Sequence, residues 1–328
     1  MLCGSRKNKI TMKSRNYLST LIIGVSSILL CSSCYVLTSE SGSKGNEMNQ
    51  RWTGWEKDGL KGKVKEHIEI YYKVQHVKEM ESKTISKYDV KGNKTEVTCY
   101  NIENANESLL GKDVFKYDNN GNMIEQVRHK ADRALAMKII LKYDDKGNQV
   151  EEDYYDPYGG SLEGQDIYKY DNKGNRIERI DSISCRKWIY KYDGNGNQIE
   201  EVFYEGDGSL STKLIYKYND KGKKIECAGY DAKGLTHKLI YKYDDKENQV
   251  EECCYNFKIE NGALTDKTIW KYDDKGNQIE EEFYQVNYPD IRTKRIYKYD
   301  DKGNRTEEGV YYTKGVLSEL KTSSYTYY

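Results

Sequence analysis

Proline is almost absent from this chain, with two residues in 328, and phenylalanine and histidine number only four each. Disordered chains are rich in proline and poor in aromatics, and the 32 tyrosines here argue for an ordered fold. A charge bias is also missing, since 53 Lys and Arg stand against 53 Asp and Glu. Without a basic face to neutralise phosphates, nucleic acid is not an expected partner. The hydrophobic fraction is only 37%, and tyrosine carries much of it. Apart from one stretch near the N-terminus, there is no long apolar run.

That stretch follows a basic segment. Arg6, Lys7, Lys9, Lys13 and Arg15 precede Leu18–Leu30 with no acidic residue among them. A basic region, a short apolar region and small residues before a cleavage point describe an export signal. The run is too short for a membrane span, which needs about 20 apolar residues. Met12 is an alternative start, because it gives a more typical basic region. Residues 34–50, rich in Ser, Gly and Asn, are expected to form a flexible tether.

Internal repetition dominates what remains. The unit KYDxxGNxxE starts at Lys87, Lys116, Lys142, Lys169, Lys191, Lys217, Lys242, Lys271 and Lys298. Two copies depart from it: one has Asn219 and Lys223 for the Asp and Asn, the other Glu247 for the Gly. Each unit is predicted to be a β-hairpin. The arm before the turn alternates, as Leu239, Tyr241 and Tyr243 do against Lys238, Ile240 and Lys242. Turn chemistry follows, for instance Asp144, Gly147 and Asn148, Asp273, Gly276 and Asn277, or Asp300, Gly303 and Asn304. Asp and Asn bond local backbone there, and Gly accepts positive φ. Residues 51–84 are expected to be a degenerate opening repeat or cap, and residues 85–328 the repeat array.

Parity sorts the faces. Tyr241 with Val250, Trp270 with Ile279 and Tyr216 with Ile225 are expected on one face, and Lys271 with Glu280 on the other. Neither face is purely apolar. Ile189, Ile215, Ile240, Ile269 and Ile296 fall among the lysines, while Glu201, Glu252 and Glu281 fall among the tyrosines. The expected fold is therefore all-β, an elongated antiparallel hairpin array wound as a meander, spiral or solenoid. A closed barrel or propeller is the competing geometry.

Two resemblances refine this reading. Cys31-Ser-Ser-Cys34 resembles a bacterial lipoprotein lipobox, which implies a signal peptide over residues 1–33, lipidation of Cys34 and attachment to a membrane of the cell envelope. The core Tyr297-Lys-Tyr299-Asp300-Asp-Lys-Gly303-Asn304 resembles the YD (Rhs-type) repeat. That resemblance implies hairpins wound into a sheet spiral on a secreted or surface scaffold. The chain shows no C-terminal effector segment of the kind that large members of that family enclose.

Chemistry is harder to find. Outside the export segment, Cys99, Cys185, Cys227, Cys253 and Cys254 form no CxxC pair, and Cys99 and Cys254 occupy the place of Phe203 and Phe283 in other repeats. They read as small apolar substitutes. His67, His76, His129 and His237 are isolated, without metal-ligand spacing. Carboxylate runs such as Asp144-Asp145 and Glu280-Glu281-Glu282 recur along the chain, whereas an active site should occur once. No catalytic residue, metal or cofactor is expected, although calcium at the Asp-rich turns is a competing reading of those residues. The aromatics Trp188, Trp270, Tyr190, Tyr216, Tyr241 and Tyr297 are suited to stack on sugars or anchor a protein. The expectation is a non-catalytic, lipid-anchored interaction scaffold. A glycan-binding module is the alternative, and an enzyme a remote one.

Overall fold

The computed structural model describes residues 53–328, except 75–76, 159, 259–260 and 313–314. The expected signal peptide, Cys34, the tether and His76 lie outside the described residues. A single helical turn, α1 (Gly54–Lys57), precedes β1 (Val64–Val74), β2 (Lys78–Tyr88), β3 (Lys94–Glu103), β4 (Asn106–Tyr117), β5 (Met123–Lys130) and β6 (Leu135–Tyr143). The chain continues through β7 (Gln149–Tyr155), β8 (Leu162–Tyr170), β9 (Arg176–Asp181), β10 (Lys187–Tyr192), β11 (Gln198–Tyr204), β12 (Leu210–Tyr218) and β13 (Lys224–Asp231). It ends with β14 (Gly234–Tyr243), β15 (Gln249–Asn256), β16 (Ala263–Tyr272), β17 (Gln278–Gln285), β18 (Tyr288–Tyr299), β19 (Arg305–Tyr312) and β20 (Val316–Tyr327).

Each strand pairs antiparallel with the next, and β20 returns to pair with β1 from Val64↔Tyr327 to Lys73↔Glu319. The sheet is therefore a closed 20-stranded barrel, not the open, elongated array expected from the repeats. Closure removes both sheet edges, which would otherwise expose rows of unpaired main-chain groups. Nothing in the KYD unit differs between an open spiral and a closed ring, so the signal for closure sits only in the atypical ends.

The turn chemistry explains every hairpin at one rim. In the unit at 144–148, Asp144 N–H donates to Asn148 O at 2.9 Å and Gly147 N–H to Asp144 O at 2.9 Å, with Gly147 at φ +84°. Asp144 Oδ1 accepts from Lys146 N and Asn148 N, and Oδ2 accepts from Asn148 Nδ2 at 2.8 Å. This is a type I turn closed by a left-handed Gly, a common geometry for short hairpin loops. The Asp–Asn side-chain bond recurs at Asn93, Asn122, Asn148, Asn175, Asn197, Asn248, Asn277 and Asn304.

The second Tyr of each unit ties its strand to the one before. Main-chain pairing between β5 and β6 stops at Glu125↔Ile140, and Tyr143 Oη reaches past it to Met123 O at 2.7 Å. The same bond joins Tyr117 to Lys94, Tyr170 to Gln149, Tyr192 to Arg176, Tyr218 to Gln198, Tyr243 to Lys224, Tyr272 to Gln249, Tyr299 to Gln278 and Tyr325 to Arg305.

At the seam between β20 and β1 no turn connects the strands, and the segment before β1 takes its place. Trp55 Nε1 donates to Val64 O at 2.5 Å, the contact that Tyr makes elsewhere. Thr53 caps α1 in a reciprocal box with Glu56, and Trp55 N–H bonds Gly92 O in the first KYD turn. Gly54 packs so closely there that a Cβ would lie 2.6 Å from Lys94 N. At the other side, Lys61 N–H donates to Asn304 Oδ1 at 2.5 Å, and Asn304 Nδ2 donates to Lys61 O at 2.9 Å, in the last KYD turn.

Asn304 is 1% exposed and is the only one of the eight turn asparagines bonded across the seam in this way. Asn304→Ala is expected to cost about 1–3 kcal/mol more than Asn148→Ala, because it also orphans the Lys61 amide and carbonyl. Urea denaturation of the two variants measures the difference, and equal losses would show that the seam does not depend on Asn304.

Candidate functional site

The register puts the KYD lysines on the outer face and the tyrosines on the inner one. Lys142, Lys191, Lys242, Lys271 and Lys298 are exposed, whereas burial raises the hydroxyls of Tyr168, Tyr190 and Tyr241 and the carboxyls of Glu201 and Glu252. On the outer face, as expected, Lys271 is directly opposite Glu280, with 2.6 Å between their charged groups. Each such Glu also meets a lysine from the following strand. Glu96, Glu125, Glu178, Glu200, Glu226, Glu251 and Glu280 are each held between two lysines, for example Glu251 between Lys242 at 2.7 Å and Lys267 at 2.6 Å. These lysines hold the seven carboxyls below the ordinary range, with Glu251 lowered to about 2.

The inner face carries one aromatic per even strand over a long arc. Tyr168, Tyr190, Tyr216, Tyr241, Trp270 and Tyr297 occupy the same register position on β8, β10, β12, β14, β16 and β18. Adjacent members lie two strands apart, about 9.6 Å. Tyr168 escaped the sequence reading although it shares the IYKY pattern. Trp188 sits two residues before Tyr190 and is covered on β10, stacked on Phe203 at 4.7 Å with the Arg179 guanidinium 4.5 Å from its ring.

The residue eight positions after each ring decides its surroundings. Where that residue is cationic it covers the ring: Arg176 over Tyr168 at 4.5 Å, Lys224 over Tyr216 at 4.4 Å and Arg305 over Tyr297 at 4.1 Å. Where it is Gln, its amide instead holds a wall carboxylate: Gln198 Nε2 donates to Glu201 and Gln278 Nε2 to Glu281, and Gln149, which follows Leu141 at the same spacing, donates to Glu152. Hydroxyls of the next strand add a second donor, from Tyr168 to Glu152 at 3.0 Å and from Tyr216 to Glu201 at 3.2 Å. Trp270 Nε1 and Tyr297 Oη both reach Glu281 at 3.3 Å. The arrangement is a row of aromatic rings alternating with hydrogen-bonded carboxylates. Because the carboxylates recur at Glu152, Glu201, Glu252, Glu281 and Glu308, the geometry singles out no one pair for acid–base work.

The turn residues Asp144, Gly147 and Asn148, Asp273, Gly276 and Asn277, and Asp300, Gly303 and Asn304 all lie at the KYD rim, and the Asp carboxylates accept from main-chain N–H groups and the Asn amide of their own turns. Among the described residues, no cluster of three or more His, Cys, Asp or Glu suits a metal ion. Cys227 and Cys254 lie buried on the inner face. Burial pushes Cys227 up to about 11, which makes it a poor nucleophile.

The two copies that depart from the turn consensus meet in space. Lys221 Nζ lies 3.1 Å and Lys223 Nζ 3.7 Å from the Glu247 carboxylate in the neighbouring turn. Glu247 also takes the left-handed position that Gly holds elsewhere, at φ +68°.

Inner and outer carboxylates respond to pH with opposite sign. The seven lowered outer groups add stability above the unfolded carboxyl range and lose it as pH falls through their folded values. Glu252, raised by burial, favours the fold when protonated and works against it as pH rises. The wild-type protein is expected to melt at lower temperature as pH drops below about 4.5. Glu252→Gln should melt higher than wild type at pH 7, with the gap closing near pH 4. A gap independent of pH would rule out this account.

No family model matches the sequence, and no curated protein matches it. Among solved structures, the chain is similar to the Photorhabdus luminescens Tc holotoxin pore, at 11% identity and a TM-score of 0.41, over 74% of this chain and 15% of that one. It is also similar to a porin-like protein from Bacteroides uniformis, at 8% identity and a TM-score of 0.37, over 80% of this chain and 96% of that one. A porin-like protein from Bacteroides vulgatus aligns at 12% identity and a TM-score of 0.25, over 70% and 97%. The chain thus spans about 15% of the toxin chain and nearly all of the porin-like ones.

Proposed function

We propose that the protein is an exported, lipid-anchored β-barrel of the bacterial cell envelope that acts as a non-catalytic binding scaffold. The observation that carries this reading is the polarity of both faces. The outer one bears a Lys–Glu–Lys cluster in unit after unit, and the inner one alternates Tyr with Glu. A lipid-facing wall is apolar, and a Lys or Arg at the bilayer midplane costs about 2–4 kcal/mol. A barrel so charged belongs in water and needs another device to hold it at a membrane. The basic and apolar segment ending at Cys34 supplies one, and the YD-like repeat core fits a surface scaffold.

A second reading, glycan capture, is favoured by the inner aromatic row. Tyr190, Tyr241 and Trp270 lack the covering cation, and each is followed at eight residues by a Gln. Pyranose rings stack on such aromatics through their apolar face while neighbouring carboxylates accept from hydroxyls.

Detergent phase partitioning of the full-length chain tests the anchor. Wild type should enter the detergent phase with an acylated Cys34, and Cys34→Ala should move to the aqueous phase without the acyl mass. If Cys34→Ala stays with detergent, the barrel itself enters lipid and the reading fails. For the second reading, binding on a glycan array should be lost in Trp270→Ala with Tyr241→Ala. Sugar binding indifferent to both changes would discount the row.

A further inference from the structure

On the KYD rim beside β11 and β12, a cavity of about 890 Å³ opens between the turns at 193–197 and 219–223. Two sequence peculiarities account for it. Gly194 stands at the tip of the first turn, where most other turns carry Asp or Asn, and nothing lies within 4 Å of its absent Cβ. Lys221, at the tip of the second, lines the cavity with its ammonium 3.1 Å from the Glu247 carboxylate of the next turn.

The cavity differs from the other inter-turn spaces in chemistry as well. In eight turns the Asn side chain donates to the Asp carboxylate. Here Lys223 replaces the Asn and Asn219 replaces the Asp. Asn219 Oδ1 still serves the turn, accepting from Lys221 N at 3.1 Å and Lys223 N at 2.9 Å. Its Nδ2 faces no side-chain partner of the kind the other turns provide, and becomes a donor at the cavity wall. Asn195 and Asp220, both exposed, add an amide and a carboxylate, while Ile199 and Ile225 form an apolar floor beside the buried Tyr216.

We infer that this cavity binds a neutral, polyhydroxylated ligand of mono- or disaccharide size. Small-molecule sites typically hold about 300–1,000 Å³, with an apolar lining and a few converging polar groups. The apolar floor suits the C–H face of a pyranose, and Asn195, Asn219 and Asp220 suit its hydroxyls. Charge sets the selectivity. Of the lysines at the cavity, Lys217 is paired with Glu226 at 3.0 Å and Lys221 with Glu247 at 3.1 Å, which leaves the Asp220 carboxylate to repel uronates. The inference rests on the glycan reading for the class of ligand, but not for its place: only Tyr216 of the expected aromatics lines the cavity.

The test is calorimetric titration of the full-length protein with maltose, cellobiose and N,N′-diacetylchitobiose, with digalacturonate as the acidic probe. At least one neutral disaccharide should bind saturably and digalacturonate should not. Gly194→Asp, which fills the tip at a position without left-handed φ, should weaken binding tenfold or more. Asn219→Asp with Lys223→Asn restores the consensus turn, so it should fold at least as well as wild type and also bind tenfold more weakly. Preferred binding of digalacturonate, or neutral-sugar binding that survives both changes, overturns the site. Loss of that binding in Trp270→Ala with Tyr241→Ala, but in neither rim variant, assigns the sugar to the inner row instead. No sugar bound by wild type refutes the site and the glycan reading together, while leaving the anchored scaffold to its own partitioning test.

Discussion

A sheet with two polar faces has to be held together by its hydrogen-bond ladder, because it has no dry core to do so. Among the described residues, only Val64 and Asn304 have large side chains less than 2% exposed. Burial is spread thinly over rings and aliphatic stems, and the decisive requirement is that every main-chain donor and acceptor find a neighbour. Ring closure meets it where an open array would leave two bare edges. The seam between β1 and β20 is consequently where unique residues accumulate: Gly54 under Lys94, Trp55 on Val64, Lys61 on Asn304.

The odd composition follows from the same constraint. Five of the nine units use one Tyr to line the inner wall and a second to bridge the carbonyl where main-chain pairing between strands gives out, as Tyr241 and Tyr243 do. One Lys from either side meets each of seven outer Glu, and the surplus of Lys this gives the outer face is offset by carboxylates elsewhere, such as Glu201, Glu252 and Glu281 on the inner wall and the Asp of the turns. Such pairs, exposed at their lysine ends, contribute little singly, but a one-residue slip would set Lys242 and Glu251 among the tyrosines. Proline is scarce because a strand paired on both sides needs its N–H groups: Pro157 falls in the loop between β7 and β8, and Pro289 at the start of β18, where the pairing with β17 is irregular between Tyr288 and Arg292.

The sequence was legible where structure is local. Asp144, Gly147 and Asn148 announce their turn, the period of two places Lys271 opposite Glu280, and Glu281 falls among the aromatics as its parity requires. It was illegible where a feature depends on the whole ring. The unit at Lys242 reads the same in a spiral and in a barrel, and only the motif-free strand from Val64 and the final Tyr325–Tyr328 carry the closure. The covering of Tyr216 by Lys224 lies between these cases. Its spacing of eight is visible in the sequence, but its meaning needs the hairpin register, which brings the residue after the turn beside the ring.

Repetition also changes what a deviation means. In an irregular fold, Asn219 for Asp or Glu247 for Gly would pass as neutral drift. Against eight turns that keep an Asp–Asn bond, each departure has a measurable local consequence: a side-chain bond not made at Asn219, and a left-handed backbone at Glu247 that a side chain with a Cβ adopts at a cost. Their meeting through Lys221 and Lys223 converts two local weaknesses into one inter-turn contact. That contact pairs Lys221 at the wall of the cavity beside Gly194, so the same residues that offset the strain also shape the rim there. In a ring built from near-identical units, asymmetry of this kind is the physical precondition for a site that occurs once.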